Sequence, residues 1–231
     1  MKVINLNKLS VLLKYFIKAP LFCFVYLFLE SCIPEDPGKL PILGFKDAVE
    51  NKDNPGQVDT VYHTIANFNF VNQDSTMVTN DTFADKIYVS DFFFTSCPTI
   101  CPIMKAQMLR VYDTFTNNPE VMLLSHTIDP EYDTVALLKD YADRLEVTSE
   151  KWHFVTGDKE KIYEIGQRSY LVTVQEDQFQ PGGYLHSGAF ILVDKDRRIR
   201  GIYDGTKPDQ VDRLINDIPI LLSEYKDNIE N

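Results

Sequence analysis

The stretch FFFTSCPTICPIMK, Phe92 to Lys105, joins two periodicities. Leading into it, KIYVSDFFFT is a nearly continuous apolar run of the kind a central strand shows when both its faces are covered. From Pro98 onward, Ile103, Met104, Met108, Val111, Tyr112 and Phe115 recur at helical spacing and stop near NNPE. Cys97 and Cys101 therefore stand where a central strand passes into a helix, each followed by a proline. In open α/β sheets the carboxyl ends of strands are where ligands bind. The amides and macrodipole of a helix start favour thiolate over thiol. Pro98, near the first helical position, costs little because that N–H is unpaired anyway.

Working outward, TVYHTIANFNFVN alternates like a strand and VMLLSHTI reads as a second buried strand. Val135, Leu137, Leu138, Tyr141 and Leu145 mark another helix. WHFVTG is a strand, DKEKIYEIGQRSY a helix, AFILVDKDRRIRGIYDG a hairpin about a charged turn, and VDRLINDIPILLSEY a closing helix. This order predicts an α/β, thioredoxin-like fold: a central mixed sheet flanked by helices, with an extra helix inserted and an added β-hairpin. No internal repeat or low-complexity tract is present.

The chain has 231 residues, 44% of them hydrophobic, which suffices for one ordinary core with an appendage. Its 23 basic and 34 acidic residues give a formal charge of −11, and no Lys/Arg cluster offers a phosphate track, so nucleic acid is excluded as a partner.

Residues 1–32 differ from the rest. Lys2, Lys8, Lys14 and Lys18 precede the acid-free run PLFCFVYLFL, Pro20 to Leu29, which ends at Glu30-Ser31-Cys32. A basic region, a short apolar core and a small residue before a cut describe a secretory signal rather than a span, which needs ~20 apolar residues. Leu29-Glu30-Ser31-Cys32 resembles a bacterial lipobox, Glu30 being its unusual member, and makes Cys32 a candidate lipid anchor. The alternatives are an uncleaved anchor over 11–29 or a buried helix. Either anchor places the body outside the cytoplasm, on the cell-envelope side of a membrane. IPEDPGKLP and VENKDNPGQVD are rich in proline, glycine and charge, which predicts a tether over 33–60 and a compact domain from Val61.

With Cys23 in the leader and Cys32 at the anchor, the body keeps Cys97 and Cys101. In an oxidising compartment such a pair becomes a disulfide unless something reduces or occupies it. Residues four apart on a helical turn lie ~5–6 Å apart at Cβ. That spacing lets two sulfurs converge on one ion or bond to each other. Two inert buried cysteines fit a strand-to-helix junction poorly, and a structural disulfide across so small a loop constrains the unfolded chain little. A metal reading needs a third donor. His63 and His153 sit inside strand patterns and read as surface or core-edge residues. His126 lies near a strand end, where it has some reach towards the cysteines. His186, in GGYLHSGAFILVD, enters the hairpin from a glycine-rich loop and reads equally as ligand or strand-edge residue.

FFFTSCPTICPIM resembles the Sco/SenC family of copper-binding, thioredoxin-like proteins, in which an aromatic strand runs into T-x-C-P-x-x-C-P. TIDPEYDT, Thr127 to Thr134, is similar to that family's S-V-D-P-E-R-D-T. HSGAFILVD is similar to its D-H-S segment, and KWHFVTGDKEKI is a further match. The matches run in order from about Tyr62 to Tyr225. The resemblance implies Cys97, Cys101 and His186 as copper ligands for Cu(I) and Cu(II), with Asp129 supporting them from the acidic loop. It implies a role in assembling the binuclear copper centre of cytochrome c oxidase, with oxidase subunit II or a similar copper acceptor and a copper donor protein as partners. Two positions depart from the pattern: Leu185 replaces the aspartate before the histidine, and Tyr132 replaces the arginine after D-P-E. The rival is an envelope thiol–disulfide oxidoreductase in which Cys97 attacks and Cys101 resolves. Peroxiredoxin-like peroxide reduction is a third reading.

Overall fold

A computed structural model describes residues 38–227. The leader and Cys32 lie outside the described residues. The body forms one compact unit from Leu40 onward.

Its centre is a seven-stranded mixed sheet. The strands are β3 (Asn69–Asn72), β4 (Met77–Thr79), β5 (Ile87–Phe93), β6 (Val121–Thr127), β7 (Trp152–Thr156), β10 (Ala189–Val193) and β11 (Ile199–Asp204), in the order β11-β10-β5-β6-β7-β3-β4. The pairs β5–β6 and β6–β7 are parallel and the flanking pairs antiparallel. Every residue of β5, β6 and β7 is buried, as the unbroken apolar runs require of strands covered on both faces. Helices α1 (Cys101–Phe115) and α2 (Val135–Arg144) make the two crossovers between these parallel strands. Helix α3 (Lys159–Glu164) continues into a π-helical turn, Ile165–Ser169. Helix α4 (Pro208–Asp227) closes the body, burying Val211, Leu214, Ile218, Leu221 and Leu222 at helical spacing. This is the thioredoxin-like arrangement, with hairpins added.

Several local expectations are corrected. The expected single strand over 60–72 splits: β2 (Val58–Tyr62) pairs with β1 (Lys46–Glu50), and only β3 joins the main sheet. The stretch read as a tether to residue 60 is held to the body from Leu40. Arg200, buried at 4% exposure, donates to the carbonyls of Leu40 (2.5 Å) and Pro41 (3.1 Å) and to Asp194 and Glu224. Proline and glycine there shape a hairpin turn as well as a loose linker, and composition does not separate the two. Helix α1 begins at Cys101, not Pro98, so the proline inside its first turn is Pro102. Among the described residues no helix is long and apolar enough to cross a membrane.

Candidate metal and redox centre

The end of β5 delivers the chain into a tight loop. Cys97 N–H donates to the Phe94 carbonyl at 3.2 Å, and Met104 N–H to that of Ile100 at 2.9 Å as α1 starts. Cys97 thus lies in the loop and Cys101 in the first helical turn, and the loop curvature rather than a shared helix face brings their sulfurs together. His186 arrives from the other side, on a small sheet of β8 (Val174–Glu176) and β9 (Tyr184–His186) in which it pairs with Val174. The connection between these strands lies against the cysteine loop. Gly182, at φ +86°, has no Cβ, and one placed there would be 2.8 Å from the Phe94 ring and 3.3 Å from Pro98. The Phe94 ring in turn meets the imidazole edge-on, centroids 5.8 Å apart.

His186 Nε2 lies 3.3 Å from Cys101 Sγ and 4.0 Å from Cys97 Sγ, and the three donor atoms are all within 4.8 Å of one another. All three side chains are buried and both cysteines are free thiols. On its far side the ring makes a 3.2 Å hydrogen bond from Nδ1 to the Ser187 carbonyl, which can only accept. The proton therefore sits on Nδ1 and the Nε2 lone pair faces the sulfurs. A hydrogen bond from the Cys101 thiol, outweighing burial and helped by the loop backbone at Thr99, holds the Cys97 thiol down at about 3. The same bond, with burial, pushes the Cys101 thiol well up. Of the two thiols, Cys97 is the one the site holds toward thiolate. Such a centre can present soft sulfur and imidazole donors to one ion, or a nucleophile beside a resolving thiol.

A family model described as SCO1/SenC matches residues 56–222. The chain belongs to the SCO1/SenC family. A Bacillus subtilis SCO1 protein homolog is 29% identical over 162 residues, 69% of this chain and 83% of that one. The crystal structure of a SCO1/SenC family lipoprotein from Bacillus anthracis superposes with a TM-score of 0.64 at 25% identity, covering 69% of this chain and 95% of that one. BsSco, described with a disulfide switch and as a member of the Sco family of cytochrome c oxidase assembly proteins, gives 0.61 at 29% identity over 69% and 93%.

Within this SCO1/SenC chain Asp129 does not touch the sulfurs directly. Its carboxylate beside Tyr184 raises the phenol's pKa after burial has already done so. The Tyr184 ring packs on Phe94 at 5.1 Å, and Phe94 packs on His186. The acid bound to the cysteine loop is Asp133, the second aspartate of TIDPEYDT. Its buried carboxylate accepts from Thr95 N–H at 3.1 Å and from the hydroxyls of Thr95 and Thr127, fixing the loop two residues before Cys97. A motif with two aspartates and one threonine on either side was the available signal. Leu185 alternates with His186 along β9 and so faces away from it, which puts the family's missing aspartate on the opposite side of the strand. Tyr132 is exposed.

The other histidines are elsewhere. His63 donates Nε2–H to the Ser169 carbonyl at 2.7 Å. His153 is buried in β7 against Asn72 and Phe83. His126 is wholly buried in β6, stacked on Phe92 at 4.8 Å. Its partner Phe92 alternates in β5 with Asp91, which faces α1, so His126 lies on the sheet face away from the cysteine helix.

Proposed function

We propose that this chain is a membrane-tethered copper-binding protein acting in assembly of the binuclear copper centre of cytochrome c oxidase, with Cys97, Cys101 and His186 as the ligands. The observation that carries the reading is the convergence of two sulfurs and an imidazole lone pair within 4.8 Å, the imidazole tautomer being set by the Ser187 carbonyl. Thiolates favour Cu(I), and imidazole serves either copper state. Asp129 supports the site at one remove, through Tyr184 and Phe94. The copper would be cargo, received from a donor protein and passed to a cysteine-bearing acceptor such as oxidase subunit II. Anaerobic titration of the reduced protein is expected to give one copper per chain. Oxidation of Cys97 and Cys101 to their disulfide is expected to abolish binding, because both sulfurs must be reduced and deprotonated to ligate. Unchanged stoichiometry in fully oxidised protein would remove the shared site.

The split between the two thiols favours a second reading beside the first, reduction of a partner's disulfide. Cys97 thiolate attacks one partner sulfur, giving a mixed disulfide and a partner thiolate that takes a proton. Cys101, losing its proton, then attacks Cys97 Sγ and releases the partner as a dithiol. Two electrons pass from the pair to the partner, and the chain keeps a Cys97–Cys101 disulfide. Metal-free protein that reduces a partner disulfide yet never retains copper would favour this reading alone.

The tether is assigned to lipidated Cys32, supported by the basic and apolar leader and by the lipoprotein description of the B. anthracis relative. Cys32→Ser is expected to leave a heavier precursor without palmitate label. Label that survives the change would rule out the lipobox.

A further inference from the structure

The cysteines stand at the carboxyl end of the parallel strands. At the opposite, amino end, where β5, β6 and β7 begin, lies a cavity of about 470 Å³ that the copper and dithiol readings do not use. Lys86, one residue before β5, and Lys151, one residue before β7, both line it. Lys86 Nζ donates to the Pro119 carbonyl at 3.0 Å and Lys151 Nζ to the Asn118 carbonyl at 2.6 Å, so two consecutive carbonyls of the loop entering β6 hold both ammonium groups. Each ammonium has three donor protons and spends one there. Neither forms a salt bridge with an acid among the described residues, although the chain has 34 acidic residues against 23 basic. Glu150, the one acid in the lining, is exposed and pairs with neither. Glu120, near enough to feel the charge of Lys86, is taken by Lys195 at 2.7 Å. Lys151 is 7% exposed, and burial, then the charge of Lys86, push its pKa down to about 8.

His153, buried at 7% exposure, lines the same cavity. Asn72 Oδ1 accepts from the N–H groups of Asp74 (3.0 Å) and Thr76 (2.9 Å), which turns the Asn72 amide nitrogen towards His153 Nδ1 at 3.1 Å. An amide nitrogen only donates, so Nδ1 accepts and the ring proton sits on Nε2. That Nε2–H, at the tip of the ring, is buried and has no hydrogen-bond partner among the described residues. Buried donors are ordinarily paired, so this one calls for an acceptor. Two ammonium groups and an orphan N–H, with the hydroxyls of Thr82 and Ser149 in the same lining, lack both negative charge and acceptor atoms. A phosphoryl group supplies both, with a charge close to −2 and three strong acceptor oxygens.

We infer that this cavity binds a phosphoryl-bearing small molecule, whose phosphoryl oxygens accept from Lys86, Lys151 and the Nε2–H of His153. Small-molecule sites run to ~300–1,000 Å³, so there is room beside the anion for the group that carries it, against the Tyr112 ring. The site shares no residue with the Cys97, Cys101 and His186 centre and needs no metal.

The test titrates metal-free full-length protein, its histidines labelled with heavy nitrogen, with inorganic phosphate at constant pH 7 and constant ionic strength. Phosphate is expected to move the His153 Nε2–H resonance and to leave the ring signals of His63 and His126 in place, with a Kd on the order of 1 mM. Acetate at the same ionic strength should move it far less. Lys86→Met and Lys151→Met should each weaken phosphate binding about tenfold or more, the fold-change of one charge-assisted hydrogen bond, with melts in the absence of phosphate confirming that the variants fold. A parent whose His153 resonance ignores phosphate overturns the site, independently of any variant. An equal response to acetate or chloride leaves an adventitious ion only and overturns the phosphoryl assignment. A folded Lys86→Met/Lys151→Met protein with the parent's Kd overturns the part given to the lysines.

Discussion

Replacing His186 by alanine is expected to abolish stable Cu(II) binding while leaving the fold and the thiol–disulfide chemistry of Cys97 and Cys101 in place. The imidazole contributes the only nitrogen among the three converging donors. Cu(II) prefers nitrogen or oxygen donors in planar or tetragonal arrangements, and without one it oxidises thiolates. Cu(I) is served by two thiolates alone, so its affinity should fall modestly. For Cu(II) the loss should reach at least ~100-fold, the upper end of what removing even an outer-shell partner of a ligand costs. The Cu(II)–thiolate charge-transfer band is the direct readout, and complementation of an oxidase-assembly defect is the functional one. The backbone should tolerate the change. His186 sits on a short two-stranded sheet outside the seven-stranded one, and its side-chain hydrogen bonds reach only its neighbour Ser187 and the two sulfurs. His126→Ala, by contrast, should keep the spectrum, because His126 faces the other side of the sheet. An alanine variant at 186 that shows the parent's Cu(II) band and complements fully would leave the centre a dithiol one.

Why some of this could be read before any fold was available follows from the range of the forces involved. The parallel centre, β5 with β6 and β7, announces itself because strands covered on both faces are apolar throughout, and the crossovers α1 and α2 show a helical period. The cysteine junction was equally plain. His186 was not. Its approach depends on Gly182 letting a hairpin lie on Phe94, a contact between residues 88 positions apart that no local pattern encodes. Asp133 was passed over for Asp129 for the same reason, since only the fold shows which of the two acids meets Thr95. The hairpin at Lys46–Tyr62 was hidden by composition, because its turn uses the residues a linker uses.

Stability should fall steeply as the pH drops from 7 to 5, and His126 should account for much of the fall. Burial pushes its pKa down to about 3, among the rings of Phe92, Phe70, Phe68 and Tyr170. Its Nδ1 meets Ser90 Oγ at 3.3 Å, and Nε2 has no hydrogen-bond partner among the described residues, so nothing compensates a second proton. His153 is similar, pushed down by burial to about 4. In the unfolded chain both titrate near ~6.5, so below that pH the unfolded state takes up protons that the native state refuses. Their contribution is complete above the unfolded pKa and is lost as pH falls from ~6.5 towards the folded values. At pH 5 each histidine has lost ~2 kcal/mol, from ~1.5 pH units at 1.36 kcal/mol each. Together that is a large share of the ~5–15 kcal/mol of an ordinary domain. The Cys97 thiolate adds a slope of the same sign, and Asp133, raised by burial, one of the opposite sign at lower pH. Both cancel when parent and His126→Leu are unfolded side by side in denaturant, reduced and metal-free. The substitution is near in volume and keeps the apolar contacts, at the cost of the Ser90 bond. Its unfolding free energy should depend on pH less than the parent's by ~2 kcal/mol between pH 7 and 5. Parallel curves for the two proteins would mean that the His126 imidazole is protonated in the native core at pH 5, and that this pocket is more polar than its aromatic walls indicate.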